Sequence, residues 1–423
     1  MVKKFKGLEK IEVELKDEVY KGIVMPNSDS ETLFLKLESG YNVGINIKDI
    51  KKVKILDKKI DIKSSTVKVK HNKNLPTVSI LHTGGTIASK VDYNTGGVVA
   101  RFEPEELVSM FPELEKIANI KSIFVSNVFS ENLRFKDYVN ISKAIEKEIK
   151  SGVKGIIIGH GTDTMHYSAA ALSFMFDNLP VPVVLVGSQR SSDRGSSDAA
   201  LNLINATYFI ANTEFTGVAI CMHKDINDDT CLIMPALKTR KLHSSRRDAF
   251  KIINDEAIAE VNYSKNKIKM IKELKNEKGA WKSKNKFEEK VGILRTYPNL
   301  NSKQIESFKG YKGLVIEGTG LGHISIDNSP ENKKIFNALK KLSKSCVIVM
   351  TSQCIFGRVN MNVYSTGREL QKIGVISGED MTTETAYIKL AWLLGNYKKD
   401  QVKQMISTNL KGEINKRIGL EFI

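Results

Sequence analysis

The most constraining feature of this chain is an alternation that begins at Thr77. Short, predominantly apolar runs at 78–81, 123–128, 155–158, 181–186 and 218–222 are separated by stretches of helical period at 134–150, 165–177 and 198–211. A strand that is apolar on both faces has no side to give to water, and helical connections of this length return the chain to start a parallel neighbour. The alternation therefore predicts a mainly parallel sheet with helices on both faces.

After residue 290 the same texture returns, with apolar runs at 291–294, 313–316 and 346–350 and an amphipathic helix over 382–394. Between the two lies a segment, 261–290, with ten Lys, four Glu and little apolar periodicity. It reads as an exposed insertion or interdomain linker. Residues 1–62 hold regularly spaced short strands with turns, the pattern of a small β-barrel, and 63–76 form a Lys- and Ser-rich linker. The predicted class is α/β. A small N-terminal β-barrel and linker occupy 1–75, an α/β domain 76–260, the Lys-rich insertion 261–290, and a second α/β domain 291–423.

Composition removes several alternatives. Hydrophobic residues make up 41% of the 423 and charged residues 27%, ordinary globular usage rather than that of a disordered chain. No apolar run approaches the roughly 18 residues of a membrane span, so a soluble, cytoplasmic protein without membrane association is expected. The four cysteines form no C-x-x-C pair and have no His cluster beside them, which argues against zinc and against a disulfide framework and predicts small buried thiols. The formal charge is +17, which points toward a polyanion such as RNA. However, 54 of the 65 cations are Lys and only 11 are Arg, the residue suited to bidentate nucleic-acid contacts.

In open α/β sheets ligands bind beyond the carboxyl ends of the strands. The first run ends in His82-Thr83-Gly84-Gly85-Thr86, the third in Gly159-His160-Gly161-Thr162-Asp163-Thr164, and the fourth in Gly187-Ser188-Gln189-Arg190. Glycine turns such as the one at Gly85 expose N–H groups that can hold an oxyanion or a substrate. A threonine hydroxyl becomes a nucleophile only beside a base, and a desolvated lysine oriented by a carboxylate can serve. Thr86, Thr162, Asp163 and a lysine would make such a set. The bland alternative is that these residues cap helices and close turns, but a Thr-bearing glycine turn at two strand ends favours catalysis. Two phosphate-site readings fail on spacing. Thr83-Gly84-Gly85-Thr86 is not a P-loop, and the third glycine of Gly318-Thr319-Gly320-Leu321-Gly322 comes one residue early for a dinucleotide fingerprint.

Thr83-Gly84-Gly85-Thr86-Ile87-Ala88 and His160-Gly161-Thr162-Asp163-Thr164-Met165 resemble the two signature motifs of the bacterial-type L-asparaginase family, and the likeness runs over about residues 77–410. Within that family, the segment 355–368, the leader of about 75 residues and the loop Phe129-Ser130-Glu131-Asn132 are most similar to the archaeal branch of tRNA-dependent amidotransferases. The resemblance implies two asparaginase-like parallel-sheet domains and a glutamine amidohydrolase. That enzyme is the ammonia-releasing component of a glutamine-hydrolysing glutaminyl-tRNA synthase, a ligase that forms a C–N bond. Its product is Gln-tRNA(Gln), made from Glu-tRNA(Gln) and glutamine. It further implies a GatE-like partner that binds the tRNA and uses ATP and Mg, no cofactor in this chain, and a homodimer within a heterotetramer.

The resemblance also assigns residues. Thr86 matches the first catalytic threonine, and Thr162 and Asp163 match the second threonine and its aspartate. The catalytic lysine falls on Lys241, with Lys238 as the fallback. Ser130 and Glu131 match the pair that holds the substrate's α-carboxylate and α-amine, and Tyr93 lies in the mobile lid. Which threonine forms the acyl-enzyme is left open. His160 and His82 receive no catalytic role and read as structural. Two rival readings are a stand-alone L-asparaginase/glutaminase and a non-catalytic RNA-binding scaffold on the same fold.

Overall fold

The computed structural model describes residues 9–24, 31–37, 42–57, 71–85, 90–91, 98–99, 111–190, 197–227, 229–274 and 279–419. Period-two alternation near the N-terminus produces β1 (Lys10–Glu14), β2 (Val19–Val24), β3 (Thr32–Leu37), β4 (Asn42–Asn46) and β5 (Lys52–Asp57). Where a small barrel is expected, these form a five-stranded antiparallel sheet in the order β4-β3-β2-β1-β5. Ile11 and Val13 of β1 meet Leu33 and Leu35 of β3, with Val24 and Ile45, in a core separate from the rest of the chain.

The alternating segment folds as a parallel sheet. Its strands are β6 (Thr77–His82), β7 (Asn119–Phe124), β8 (Gly155–Gly159), β9 (Pro182–Val186) and β10 (Gly217–His223), arranged β7-β6-β8-β9-β10. The uniform apolarity of β8 has a direct cause. Ile156 and Ile158 join the cluster under helices α1 (Phe135–Lys150) and α2 (Met165–Met175), while Ile157 joins the opposite cluster under α3 (Ala199–Asn212). Strand β7 begins four residues before the apolar run that marks it, because its pairing with β6 starts at Asn119 and ends at Phe124; from Val125 the chain turns away. Antiparallel β11 (Cys231–Pro235) continues the sheet beyond β10. A two-stranded ribbon follows, β12 (Thr239–Lys241) with β13 (Phe250–Ile252), and it joins no larger sheet.

The Lys-rich segment 261–290 is not a free linker. β14 (Ala259–Asn262) and β15 (Lys267–Met270) extend the large sheet antiparallel beyond β11, so this part is an edge hairpin. Further on, Lys282–Ser283 pairs with Phe176–Asp177. Phe287 stacks on Phe135 with ring centroids 4.8 Å apart. Lys284 donates to the Tyr397 hydroxyl at 2.7 Å and lies 3.4 Å from Asp177. Lysine stems that cover apolar surface and two-residue strands leave no periodic trace in a sequence.

The second unit is a four-stranded parallel sheet, β16 (Val291–Arg295), β17 (Gly313–Gly318), β18 (Val347–Ser352) and β19 (Val375–Ser377), in sequence order. Its long helix α4 (Thr383–Asn396) reads as amphipathic but is buried at ten of its fourteen positions. The reason is that α4 packs on α2 of the first unit, with Phe174 stacked on Trp392 at 5.7 Å, while its polar positions find internal partners. Lys389 Nζ bonds the Ile406 carbonyl at 2.9 Å and Glu413 Oε1 at 2.6 Å. Among the described residues no helix is long and apolar enough to cross a membrane. Phe174 is fully buried where the two units meet. Phe174→Ala should cost about 3–5 kcal/mol of stability, read as a lower urea midpoint with unchanged secondary structure by circular dichroism.

Candidate active site

Three strand-end turns converge at the carboxyl edge of the first sheet, and glycine lets them touch. Gly84 and Gly85 have φ of 114° and 83°, a region that side-chain-bearing residues rarely enter. A Cβ on Gly84 would lie 2.4 Å from the Val128 carbonyl oxygen, and one on Gly85 2.4 Å from the Gly161 nitrogen. A Cβ on Gly161 would meet Ser130 Oγ at 2.9 Å. Backbone therefore packs on backbone. Thr83 Oγ1 and its N–H both donate to the Gly159 carbonyl, at 2.9 and 3.1 Å, tying the β6 turn to β8.

The β8 turn leads directly into α2, and the residues between carry the polar groups. Lys241 Nζ donates to Thr162 Oγ1 at 2.8 Å and to Asp163 Oδ1 at 2.7 Å. The lysine side chain is 9% exposed and the aspartate 67%, so the amine sits inside and the carboxylate at the mouth. Lys238 is the alternative that the sequence offers for this amine. Its side chain is fully buried on Asp380, at 2.7 Å, and takes no part in the Thr162–Asp163 cluster. Ser130 is buried in a 3-10 turn, Ser130–Asn132, and its carbonyl accepts from Thr164 Oγ1 at 2.6 Å. The exposed Glu131 lines a cavity of about 430 Å³ together with Ser130, Thr164 and Tyr167. The structure thus brings Lys241 to Thr162 and Asp163, and Gly85 and Ser130 to the adjoining Gly161, while Glu131 follows Ser130 on a cavity whose lining does not include Thr162, Asp163 or Lys241. Thr86 and Tyr93 lie outside the described residues.

The two histidines beside the motifs are structural. His160 Nδ1–H donates to the Gly161 carbonyl at 2.6 Å, which leaves Nε2 to accept from the Ser168 hydroxyl at 2.8 Å. Burial pulls its pKa down to about 4, against the upward pull of the Gly161 bond. His82 Nε2 lies 2.9 Å from Ser122 Oγ. His166, the second residue of α2, is held lower still, to about 3, by burial and then by the nearby Arg240.

Several residues of the site carry no signal in the sequence. The buried Asp198 carboxylate accepts the backbone N–H groups of Gln189 and Arg190 at 3.0 Å, which fixes the loop after β9. Arg240 and Lys238 both turn toward the second unit, to Glu384 at 2.8 Å and to Asp380. Of the four cysteines, Cys221, Cys231 and Cys346 are buried as expected, but Cys354 is exposed at the end of β18.

A two-unit α/β body with this cluster at the carboxyl edge is of the asparaginase class. Residues 77–276 match the model described as "Asparaginase, N-terminal", and 290–406 match "Glutaminase/Asparaginase C-terminal domain". The fold is similar to the thermostable L-asparaginase from Thermococcus kodakarensis, with a TM-score of 0.72 and 28% identity over 81% of this chain and all of that one. L-asparaginase I from Vibrio cholerae gives 0.70 and 30%, over 81% of this chain and 99% of the other. Residues 5–56 match the GatD N-terminal domain. The D subunit of glutamyl-tRNA(Gln) amidotransferase from Methanococcus maripaludis strain C7 is 46% identical over 97% of this chain and 98% of its own length. The Pyrococcus furiosus protein of the same name is also 46% identical, over 93% and 91%. The chain belongs to the family of glutamyl-tRNA(Gln) amidotransferase D subunits, the GatD family.

The neutral, buried His160 makes stability depend on pH. Its pKa falls from near 6.5 unfolded to about 4 folded, so its contribution is complete above pH 6.5 and is lost as pH falls toward 4. Urea midpoints taken from pH 7.5 to 4.5 should decline below 6.5. In His160→Gln the slope of that decline should be shallower by up to about 1.4 kcal/mol per pH unit.

Proposed function

We propose that this chain is the glutaminase subunit of a tRNA-dependent amidotransferase that converts Glu-tRNA(Gln) to Gln-tRNA(Gln). The observation that carries the reading is the Lys241 amine, within hydrogen-bond reach of both Thr162 Oγ1 and Asp163 Oδ1, on a chain that is 46% identical over 97% of its length to a GatD protein. Glutamine binds with its α-carboxylate and α-amine on Ser130, Glu131 and Asp163. The hydroxyl of Thr86, one residue beyond Gly85, attacks the side-chain amide carbon. Backbone N–H groups of the glycine turns stabilise the oxyanion. Collapse of the tetrahedral species breaks the C–N bond, the proton given up by the Thr86 hydroxyl passes to the nitrogen, and ammonia leaves an acyl-threonine. Water gives a proton up through Thr162 and Lys241 and attacks the ester carbon, the bond to Thr86 Oγ1 breaks, the proton returns to that oxygen, and glutamate leaves. Tyr93 is assigned to substrate binding on the family resemblance alone. The ammonia passes to a GatE-like partner, where ATP and Mg activate the glutamyl group. The chain itself uses no cofactor, works in the cytoplasm, and assembles as a homodimer within a heterotetramer. A stand-alone L-asparaginase is disfavoured, because the leader sheet and segment 355–368 would have no use in it.

Thr162→Val, Thr86→Val, Asp163→Asn and Lys241→Met should each lower glutaminase turnover by about 10³-fold or more, non-additively. Free ammonia should restore amidation in all four, because the partner's chemistry is untouched. Wild-type-like turnover in Thr86→Val would remove it as nucleophile. Ammonia release from asparagine at the glutamine rate, indifferent to partner and Glu-tRNA(Gln), would return the chain to the scavenging asparaginases.

The lysines of 261–290 separate into two kinds. Lys284 is engaged with Tyr397 and Asp177, whereas Lys282 and Lys286 are exposed. Lys282→Ala/Lys286→Ala should cost less than about tenfold in tRNA affinity of the assembled enzyme and leave glutaminase turnover intact. A loss of about a hundredfold, with the slope of log K against log[salt] flattened by about 0.7–0.9 for each phosphate no longer neutralised, would make this edge a principal tRNA surface.

A further inference from the structure

The strand that carries Lys241 is held from both units. β12 is three residues long and, among the described residues, pairs with β13 and joins no larger sheet. In the first unit Thr239 Oγ1 and the Lys238 N–H donate to the Pro235 carbonyl, at 2.7 and 3.1 Å. The second unit adds further bonds. The Leu237 carbonyl accepts from Thr385 Oγ1 at 3.0 Å. Lys238 Nζ donates to the Asp380 carbonyl at 3.1 Å and to Asp380 Oδ2 at 2.7 Å. Arg240 reaches Glu384 Oε1 at 2.8 Å. The groups that meet the ribbon here lie in the turn before α4 and in its first turn.

Strand geometry divides the work. Alternate side chains leave opposite faces, so Lys238 and Arg240 share one side of the ribbon and Thr239 and Lys241 the other. One side is bonded to the second unit, while the other presents Lys241 to Thr162 in the first. The Nζ–Oγ1 distance, though it lies within the first unit, therefore depends on side chains of the second. The tether extends further. Asp380 Oδ1 accepts the Asn415 N–H at 3.0 Å. The ribbon's return carries Asn254, which exchanges two hydrogen bonds with Gly357, at 2.8 and 2.9 Å.

We propose that Lys238 and Arg240 are positioning residues for Lys241, and that through Asp380 and Glu384 the second unit sets how closely Lys241 approaches Thr162. This inference rests on the reading of Lys241 as the proton carrier. A displacement of about 1 Å in such a group costs on the order of a hundredfold in rate, while the glutamine-binding pair Ser130 and Glu131 lies on another element, the 3-10 turn Ser130–Asn132. The loss should therefore appear in kcat and not in KM.

The test uses the full chain assembled with its partner subunit and glutamine as substrate. Two variants release the tether. Lys238→Met/Asp380→Leu replaces the buried charged pair by apolar side chains of similar size, and Glu384→Met frees Arg240 by removing its acceptor at similar length. Each should lower kcat by about ten- to a hundredfold, with KM within about twofold and melting near that of the parent. Lys238→Arg, which can still donate to both Asp380 oxygens, should recover most of kcat. Should the double variant fail to fold, Glu384→Met decides alone. Turnover within twofold of the parent in Glu384→Met, or a kcat loss that merely follows the unfolded fraction, overturns the inference. Lys241→Met separates it from the reading beneath it. If Lys241→Met is inactive and the tether variants are fully active, only the positioning role falls; if Lys241→Met turns over normally, the assignment of Lys241 itself falls.

Discussion

Helix α2 is the constraint on which the rest of the architecture depends. Nine of its eleven residues are buried, so it has almost no face left for water. One side lies on the first sheet; the other receives α4 of the second unit, and Phe174 against Trp392 marks the contact. A helix that is apolar all round is stable only in the middle of a larger body. The two α/β units therefore cannot be read as independent folds joined by a linker. The same helix begins immediately after Thr162 and Asp163. The packing that unites the units also fixes the polar residues at its N-terminal end.

Electrostatics supply the second layer of order. Two lysines, Lys238 and Lys389, are removed from solvent together with Asp380 and Glu413. Burial pulls both ammonium pKa values down, and their carboxylate partners pull them back up. Such pairs add little net stability over apolar residues, but losing one partner leaves a buried charge and costs about 3–5 kcal/mol. They specify geometry. Lys389 holds the chain around 406–413, and Lys238 holds the ribbon that ends in Lys241. In a chain with 54 lysines, nothing in the local sequence separates these two from the solvated majority.

The N-terminal sheet and the hairpin of β14 and β15 show what surface charge does and does not reveal. On β1 and its neighbours the charged residues face each other across strands, as Glu12 does with Lys21 at 2.9 Å. Exposed pairs of this kind contribute little to stability, and they neutralise much of the local charge. The surplus of +17 is a sum over the whole chain and does not say where unpaired lysines gather, which is why composition alone carries so little information about partners.

The sequence by itself determined the local order. Apolar runs marked most of the parallel strands, because a strand covered on both faces has no polar position to blur the signal. The glycines at 84, 85 and 161 marked the turns where backbone must meet backbone. The motif at Thr162 and Asp163 marked the strand end where polar groups gather. Only the tertiary structure decided the rest. It placed Lys241, some eighty residues away in sequence, on Thr162, and it sent Lys238 to the second unit. It turned a Lys-rich segment into a sheet edge and docked strand, and an amphipathic-looking helix into a buried one. These outcomes depend on which surfaces meet, and neighbouring residues along the chain do not encode that contact.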